Sequence, residues 1–243
     1  MGATNWVVWQ MLDSLYPTGG FAHSLGLEAA VQEKLVETGE SPPRSLHRFL
    51  SSTLHQTGNF ALPIVFSAHT SATTEPDRVL ESFLELNARA TALFSNHVAK
   101  KASLAQGAAM LRLAISTYGG SAGADDRFQV LLAIRKEAKR RKHPGVHHAV
   151  VFGTVCALLG VGTDDCQRMY LFFTARDLLS AATRLNLIGP LEATRIQFEM
   201  GPTMEKIFQS KKDRQIDDSY SSAPVLDLIQ AMHDQLYTRI FNS

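Results

Sequence analysis

Apolar side chains along this chain recur in steps of three and four, the spacing of one face of an α-helix. Leu46, Phe49, Leu50, Thr53 and Leu54 mark one such stripe. Leu171, Ala175, Leu178, Ala182 and Leu185 mark another, within a helix predicted from Asp164 to about Leu187. Gly189-Pro190 breaks that helix and starts the next, because proline is tolerated in a first turn, where its missing amide costs nothing. The run from Ala149 to Val161 carries no charge, which predicts a buried helix from His147 to Leu159. Further helices are expected over Leu25 to Val36, around Ala61 to Ala68 with Pro63 in the first turn, and after Thr74 with an acidic start. Residues 78–117 predict two or more helices, and Asp126 to Lys142 a charged one. Pro42-Pro43, the glycine-rich 118–123 and Pro144-Gly145 punctuate the series. Strand-like alternation is almost absent and there is no internal repeat. The expectation is all-α: a single multi-helix bundle with a docking C-terminal helix and tail.

Both ends of the pattern are unusual. Residues 12–28, LDSLYPTGGFAHSLGLE, stop a helical pattern at Pro17, pass Gly19 and Gly20, and resume a helix from about Ser24. A proline without a donor followed by two glycines predicts a tight corner that brings two backbones close. His23 and Glu28 flank it, free to cap, to pair (Glu28 with a nearby Arg), or to face solvent or a partner. Residues 1–210 are expected to form the body, 211–223 (KKDRQIDDSYSSA) a flexible polar linker, and 224–243 a helix and tail. Val225, Leu228, Ile229, Met232 and Leu236 give that last helix an apolar face, fit to dock on the body or on a partner. In the tail, Tyr237 and Phe241 stand at i and i+4, so a helix would put both on one side, with Arg239 off that line. Aromatic and Arg side chains are good interface anchors, and an interface is the preferred reading here.

Composition narrows the function. The 243 residues carry 24 basic and 23 acidic side chains, so net charge supplies no general pull toward nucleic acid or acidic membranes. Two cysteines, Cys156 and Cys166, imply no disulfide framework and a reducing compartment. The opening MGATNW has neither a signal-peptide pattern nor a myristoylation pattern, and no apolar run is long enough to span a bilayer. A soluble cytoplasmic protein is expected. There is no Walker loop, no nucleophile elbow and no His-Glu-x-x-His helix, so independent catalysis is not expected. His143, His147 and His148 could offer imidazoles to a metal, but Pro144-Gly145 intervenes, and a polar helix boundary is the preferred reading. The basic run from Arg135 to His143 lacks interleaved aromatics. It reads as a solvated helix end, with an acidic protein partner ranked above nucleic acid.

Residues 12–28 and the terminal HDQLYTRIFNS of 233–243 resemble the two end signatures of the urease accessory protein F family. VHHAVVFG at 146–153 with CALLG at 156–160 is similar to that family's central helix. RDLLSAATRLNLIGP at 176–190 is similar to its long core helix in plant-like members. Residues 70–145 are the least distinctive, and ARATALF at 88–94 departs from the acidic segment of bacterial members. The resemblance implies an all-α, non-catalytic assembly chaperone. It would bridge the urease accessory D/H protein and the G-type accessory GTPase, modulate that GTPase, and take part in nickel insertion into apo-urease. It implies no stably bound cofactor and no metal site of its own, nickel being handled by the complex, and it allows a homodimer. The signatures make Pro17, Gly19, Gly20, Phe21, His23, Glu28, His233, Tyr237, Arg239 and Phe241 the candidate partner-binding residues.

Overall fold

A computed structural model describes residues 4–37, 44–119, 126–140 and 145–243. Eleven α-helices occur among these residues, and no strand. They are α1 (Thr4–Leu12), α2 (Leu27–Gln32), α3 (Arg44–Thr74), α4 (Val79–Leu93), α5 (His97–Tyr118) and α6 (Gln129–Arg140). The second half adds α7 (His148–Leu158), α8 (Thr163–Arg184), α9 (Pro190–Glu199), α10 (Gly201–Lys211) and α11 (Pro224–Ala231). Thr38-Gly39, Pro42-Pro43, Pro144 and His143 lie outside the described residues.

The charge-free run is α7, and it is buried over nearly its whole circumference. A helix with no polar side needs neighbours all round. α3 is its most extensive neighbour, with α5 and α4 on other sides. The α3–α7 contact is backbone-close because position 153 has no side chain. A Cβ built on Gly153 would lie 2.4 Å from the Val65 carbonyl oxygen and 3.0 Å from the Ala68 Cβ. Val150, Phe152 and Val155 of α7 share one apolar cluster with Ile64, Val65, Met110, Leu131 and Ile134. A second cluster gathers Leu178, Leu179 and Ala182 of α8 with Leu46, Leu50, Leu54, Ile207, Phe208, Ile229 and Phe241. α3 serves both. Its 31 residues span roughly 46 Å at 1.5 Å rise per residue, so Leu46 to Leu54 and Leu62 line one cluster and Ile64, Val65 and Ala68 the other.

Pro63 does not start a helix. It stands inside α3, where it removes the amide that would have bonded to the carbonyl four residues earlier. That carbonyl, Asn59 O, instead accepts the backbone N–H of Tyr220 at 3.2 Å, and the next one, Phe60 O, accepts the Ser219 hydroxyl at 2.7 Å. The segment expected as a linker is therefore a strap along α3. Ile216 is buried, Ser67 Oγ donates to Gln215 Oε1 at 2.8 Å and accepts from Ile216 N at 2.8 Å. Gln56 Oε1 accepts the backbone amides of Ser222 and Ala223 at 2.6 and 3.0 Å. Polar composition suggested a flexible linker because the groups that satisfy it belong to a helix far away in sequence.

Two other bounds differ from expectation. α2 begins at Leu27 rather than Ser24, and it ends at Gln32 rather than Val36. No helix among the described residues is long and apolar enough to cross a membrane.

Candidate functional site at the joined ends of the chain

α8 holds the glycine corner in place. Arg176 Nη1 donates to Leu12 O at 3.0 Å where α1 ends, and its Nε and Nη2 grip Asp177 Oδ1 at 3.0 and 2.8 Å. Asp177 lies against Gly20, so that a Cβ at Gly20 would sit 2.1 Å from Asp177 Oδ2. Burial raises the Asp177 pKa, and the Arg176 guanidinium opposes that rise. The two glycines serve different ends. Gly19 adopts φ +81°, a left-handed conformation that side chains resist, whereas Gly20 is needed for space.

The tail 233–243 closes onto this corner. Glu28, almost fully buried, is the hub: Oε1 accepts the Ile240 amide at 2.6 Å, and Oε2 accepts the Phe241 amide at 3.1 Å. His233 Nε2 reaches the same Oε2 at 3.2 Å, so the partner of Glu28 is a histidine from the tail and not an arginine. Ser24 donates both its amide (2.7 Å) and its hydroxyl (3.0 Å) to Ser243 O. His23 Nδ1 meets Ser243 Oγ at 2.6 Å, and Asn242 N donates to Ala22 O at 2.8 Å. Arg184 covers the Phe241 ring at 4.3 Å and also donates to Phe21 O. A carboxylate accepting two main-chain amides and an imidazole in a site closed to water is a strong, directional clamp.

Nine of the ten candidate residues divide into two sets, and Gly19, half-buried, shapes the corner between them. His23, Glu28, His233, Phe241 and Gly20 are buried in the joint. Pro17, Phe21, Tyr237 and Arg239 face outward, Tyr237 fully exposed and Phe21 64 % exposed. The shared helical side expected for Tyr237 and Phe241 does not form, because helical structure ends at Gln235 and the tail continues as bends. Ile240, also exposed, joins the outward set. Arg176, Asp177, Arg184, Ser24 and Ser243 were legible only as members of the quoted stretches. Nothing in their spacing announced that they build the corner.

His147 and His148 are engaged by neighbouring side chains in this fold. His143 lies outside the described residues. His147 is buried with both ring nitrogens engaged, Nδ1 with Ser103 Oγ and Nε2 with Thr91 Oγ1, each at 3.0 Å. Its ring stacks on Phe94 at 4.7 Å. His148 Nδ1 meets the Tyr170 hydroxyl at 3.2 Å. No three His, Cys, Asp or Glu residues among those described are grouped to hold a metal ion. In the basic run, Arg140 is paired to Glu137 at 2.9 Å on the exposed face of α6, and Lys142 lies outside the described residues.

Burial lowers the His147 pKa to about 4, helped by the Lys100 charge, and lowers His148 to about 4, helped by His23. Each ring is therefore neutral when folded and takes up a proton more readily when unfolded. The stability this contributes is complete above about pH 6.5, the unfolded value, and is lost as pH falls toward the folded value. At roughly 3 kcal/mol apiece at most, the expected result is a steep drop in the urea midpoint between pH 6.5 and 4. A flat profile over that interval would contradict these assignments.

Fold and joint together define an all-α protein whose distant ends close on each other around one buried carboxylate. A family model described as UreF matches residues 41–201. A urease accessory protein F of Arabidopsis thaliana is 40 % identical over 238 residues, covering 98 % of this chain and 92 % of the relative. One of Oryza sativa subsp. japonica is 39 % identical over 236 residues, covering 97 % and 84 %. A UreF of Bacillus sp. (strain TB-90) is 26 % identical over 243 residues, covering 97 % of each. The chain belongs to the urease accessory protein F family.

Proposed function

We propose that this chain is a non-catalytic assembly factor of the cytoplasm, which bridges the urease accessory D/H protein and the G-type accessory GTPase during nickel insertion into apo-urease. It regulates GTP hydrolysis by that GTPase, works in the complex as a homodimer, and leaves nickel chemistry to other chains. What carries the reading is the joint of the two ends. Phe21, Tyr237 and Ile240 are presented outward from a base clamped by Glu28, Ser24 and His23. Apolar and aromatic groups held on a rigid base lose little freedom on association, which is how interface anchors gain their affinity.

The base and the outward residues call for different tests. Deleting 233–243 would strip Glu28 and His23 of their partners and so confuse folding with binding. Tyr237→Ala combined with Phe21→Ala removes only exposed side chains. The double variant is expected to keep the wild-type unfolding midpoint and to lose about tenfold or more in affinity for the D/H protein, as expected of a hot-spot pair contributing about 1.4 kcal/mol or more. Unchanged affinity in a titration against the purified D/H protein would reject this surface.

A further inference from the structure

Next to the joint, between α3, α5, α8 and α11, lies a cavity of about 190 Å³. An engineered cavity of about 150 Å³ holds benzene, so this one has room for a ring or a short chain. Phe60, Ile64, Phe94 and Phe173 supply apolar wall. Most polar groups that reach it are already engaged: Ser103 with His147, Gln56 with the strap backbone, and Asn96 with the first amides of α5.

Asp177 is engaged through one oxygen alone. Arg176 occupies Oδ1 with two hydrogen bonds, while Oδ2, packed against Gly20, takes part in no hydrogen bond among the described residues. No Lys or Arg is among the lining residues, so the full charges on the wall are the carboxylates of Asp177 and Asp227. Asp227 already accepts the Ser221 hydroxyl.

We propose that this cavity binds a small primary amine, taken up as its ammonium form on an apolar stem, with Asp177 as counter-charge. An anion would face two carboxylates, and the nearest cation, Arg176, is already bound to Asp177 Oδ1. Asp177 is partly exposed, and a purely apolar guest would shut water off from Oδ2 without replacing its hydrogen bonds. A guanidinium prefers both oxygens of a carboxylate, and Oδ1 is taken, so a single-point ammonium donor fits the remaining oxygen better. The Phe60 and Phe94 rings add attraction for a cation, while Phe173 already lies under the Arg176 guanidinium. The Tyr170 hydroxyl and the His148 imidazole, neutral at pH 7, stand on the same wall to accept or donate a further hydrogen bond.

Isothermal titration of the full chain with 2-phenylethylamine and with 2-phenylethanol, equal in shape but differing in charge, tests the proposal. Saturable single-site binding of the amine is expected, about tenfold or more tighter than the alcohol. Asp177→Asn should erase that preference while leaving the alcohol's affinity unchanged. Equal affinities for amine and alcohol, no amine binding, or a preference that survives Asp177→Asn would each overturn it. If Asp177→Asn does not fold, Ala61→Phe fills the cavity from α3 without touching the Arg176–Asp177 pair. Amine binding that persists in that variant would equally overturn the site. None of these outcomes depends on the D/H protein, so the result stands apart from the proposed assembly role.

Discussion

Glu28→Ala is expected to lower stability by about 3–5 kcal/mol, the range for removing one member of a buried charged cluster and leaving the others unpaired. Three donors lose their acceptor at once: the amides of Ile240 and Phe241, and His233 Nε2. The Phe241 amide and His233 Nε2 are withdrawn from water and the Ile240 amide partly so, so each retains desolvation cost without the bond that offset it. In a chain of this size such a loss corresponds to a fall in melting temperature of roughly 10 °C. Amide exchange at Ile240 and Phe241 should accelerate well before the core opens, because the tail is released first. Glu28→Gln, which keeps one carbonyl acceptor in place, should lose less. A Glu28→Ala protein melting within about 2 °C of wild type, a shift worth only a fraction of the expected loss, would show that the carboxylate is not the hub.

Gly153→Val is expected to cost at least about 3 kcal/mol, at or beyond the upper end for overpacked cores. The clash is with backbone: a Cβ at 153 meets the Val65 carbonyl oxygen at 2.4 Å and the His69 amide nitrogen at 3.1 Å. Neither can swing aside as a side chain would, so α3 and α7 must separate and open the cluster around Phe152. Gly153→Ala is the sharper diagnostic. At an exposed helical position alanine would stabilise by about 1 kcal/mol relative to glycine, whereas here the sign should reverse. Urea denaturation of both variants followed by far-ultraviolet circular dichroism decides the matter. A stabilised Gly153→Ala protein would mean that the two helices do not touch through this glycine.

The same two positions mark how far local pattern reaches. Gly153 reads in sequence as one small residue in an apolar helix, and the carbonyl that forbids a Cβ there belongs to α3. Glu28 reads as a polar residue beside a turn, open to capping, pairing or exposure, and its three donors come from the other end of the chain. Pro63 shows the same limit in reverse. A proline in a helical run signals a helix start when only neighbours are counted, but the strap residue Tyr220 supplies the missing donor and α3 continues past it. The candidate partner residues gathered at one joint, yet their division into buried clamp and outward face depended on the tail's path after Gln235. Two aromatics four apart share a side only if the chain between them is helical.

By itself the sequence determined the helical class, the buried α7, the core stripe of α8 and the identity of the two special ends. Periodicity and the chemistry of proline and glycine act within a few residues, so they are written locally. Only the tertiary structure decided that the ends meet, that the polar stretch 211–223 straps α3, and which of the candidate residues are buried. Those outcomes depend on which distant donor finds which acceptor once water is excluded, and one-dimensional spacing carries no record of that pairing.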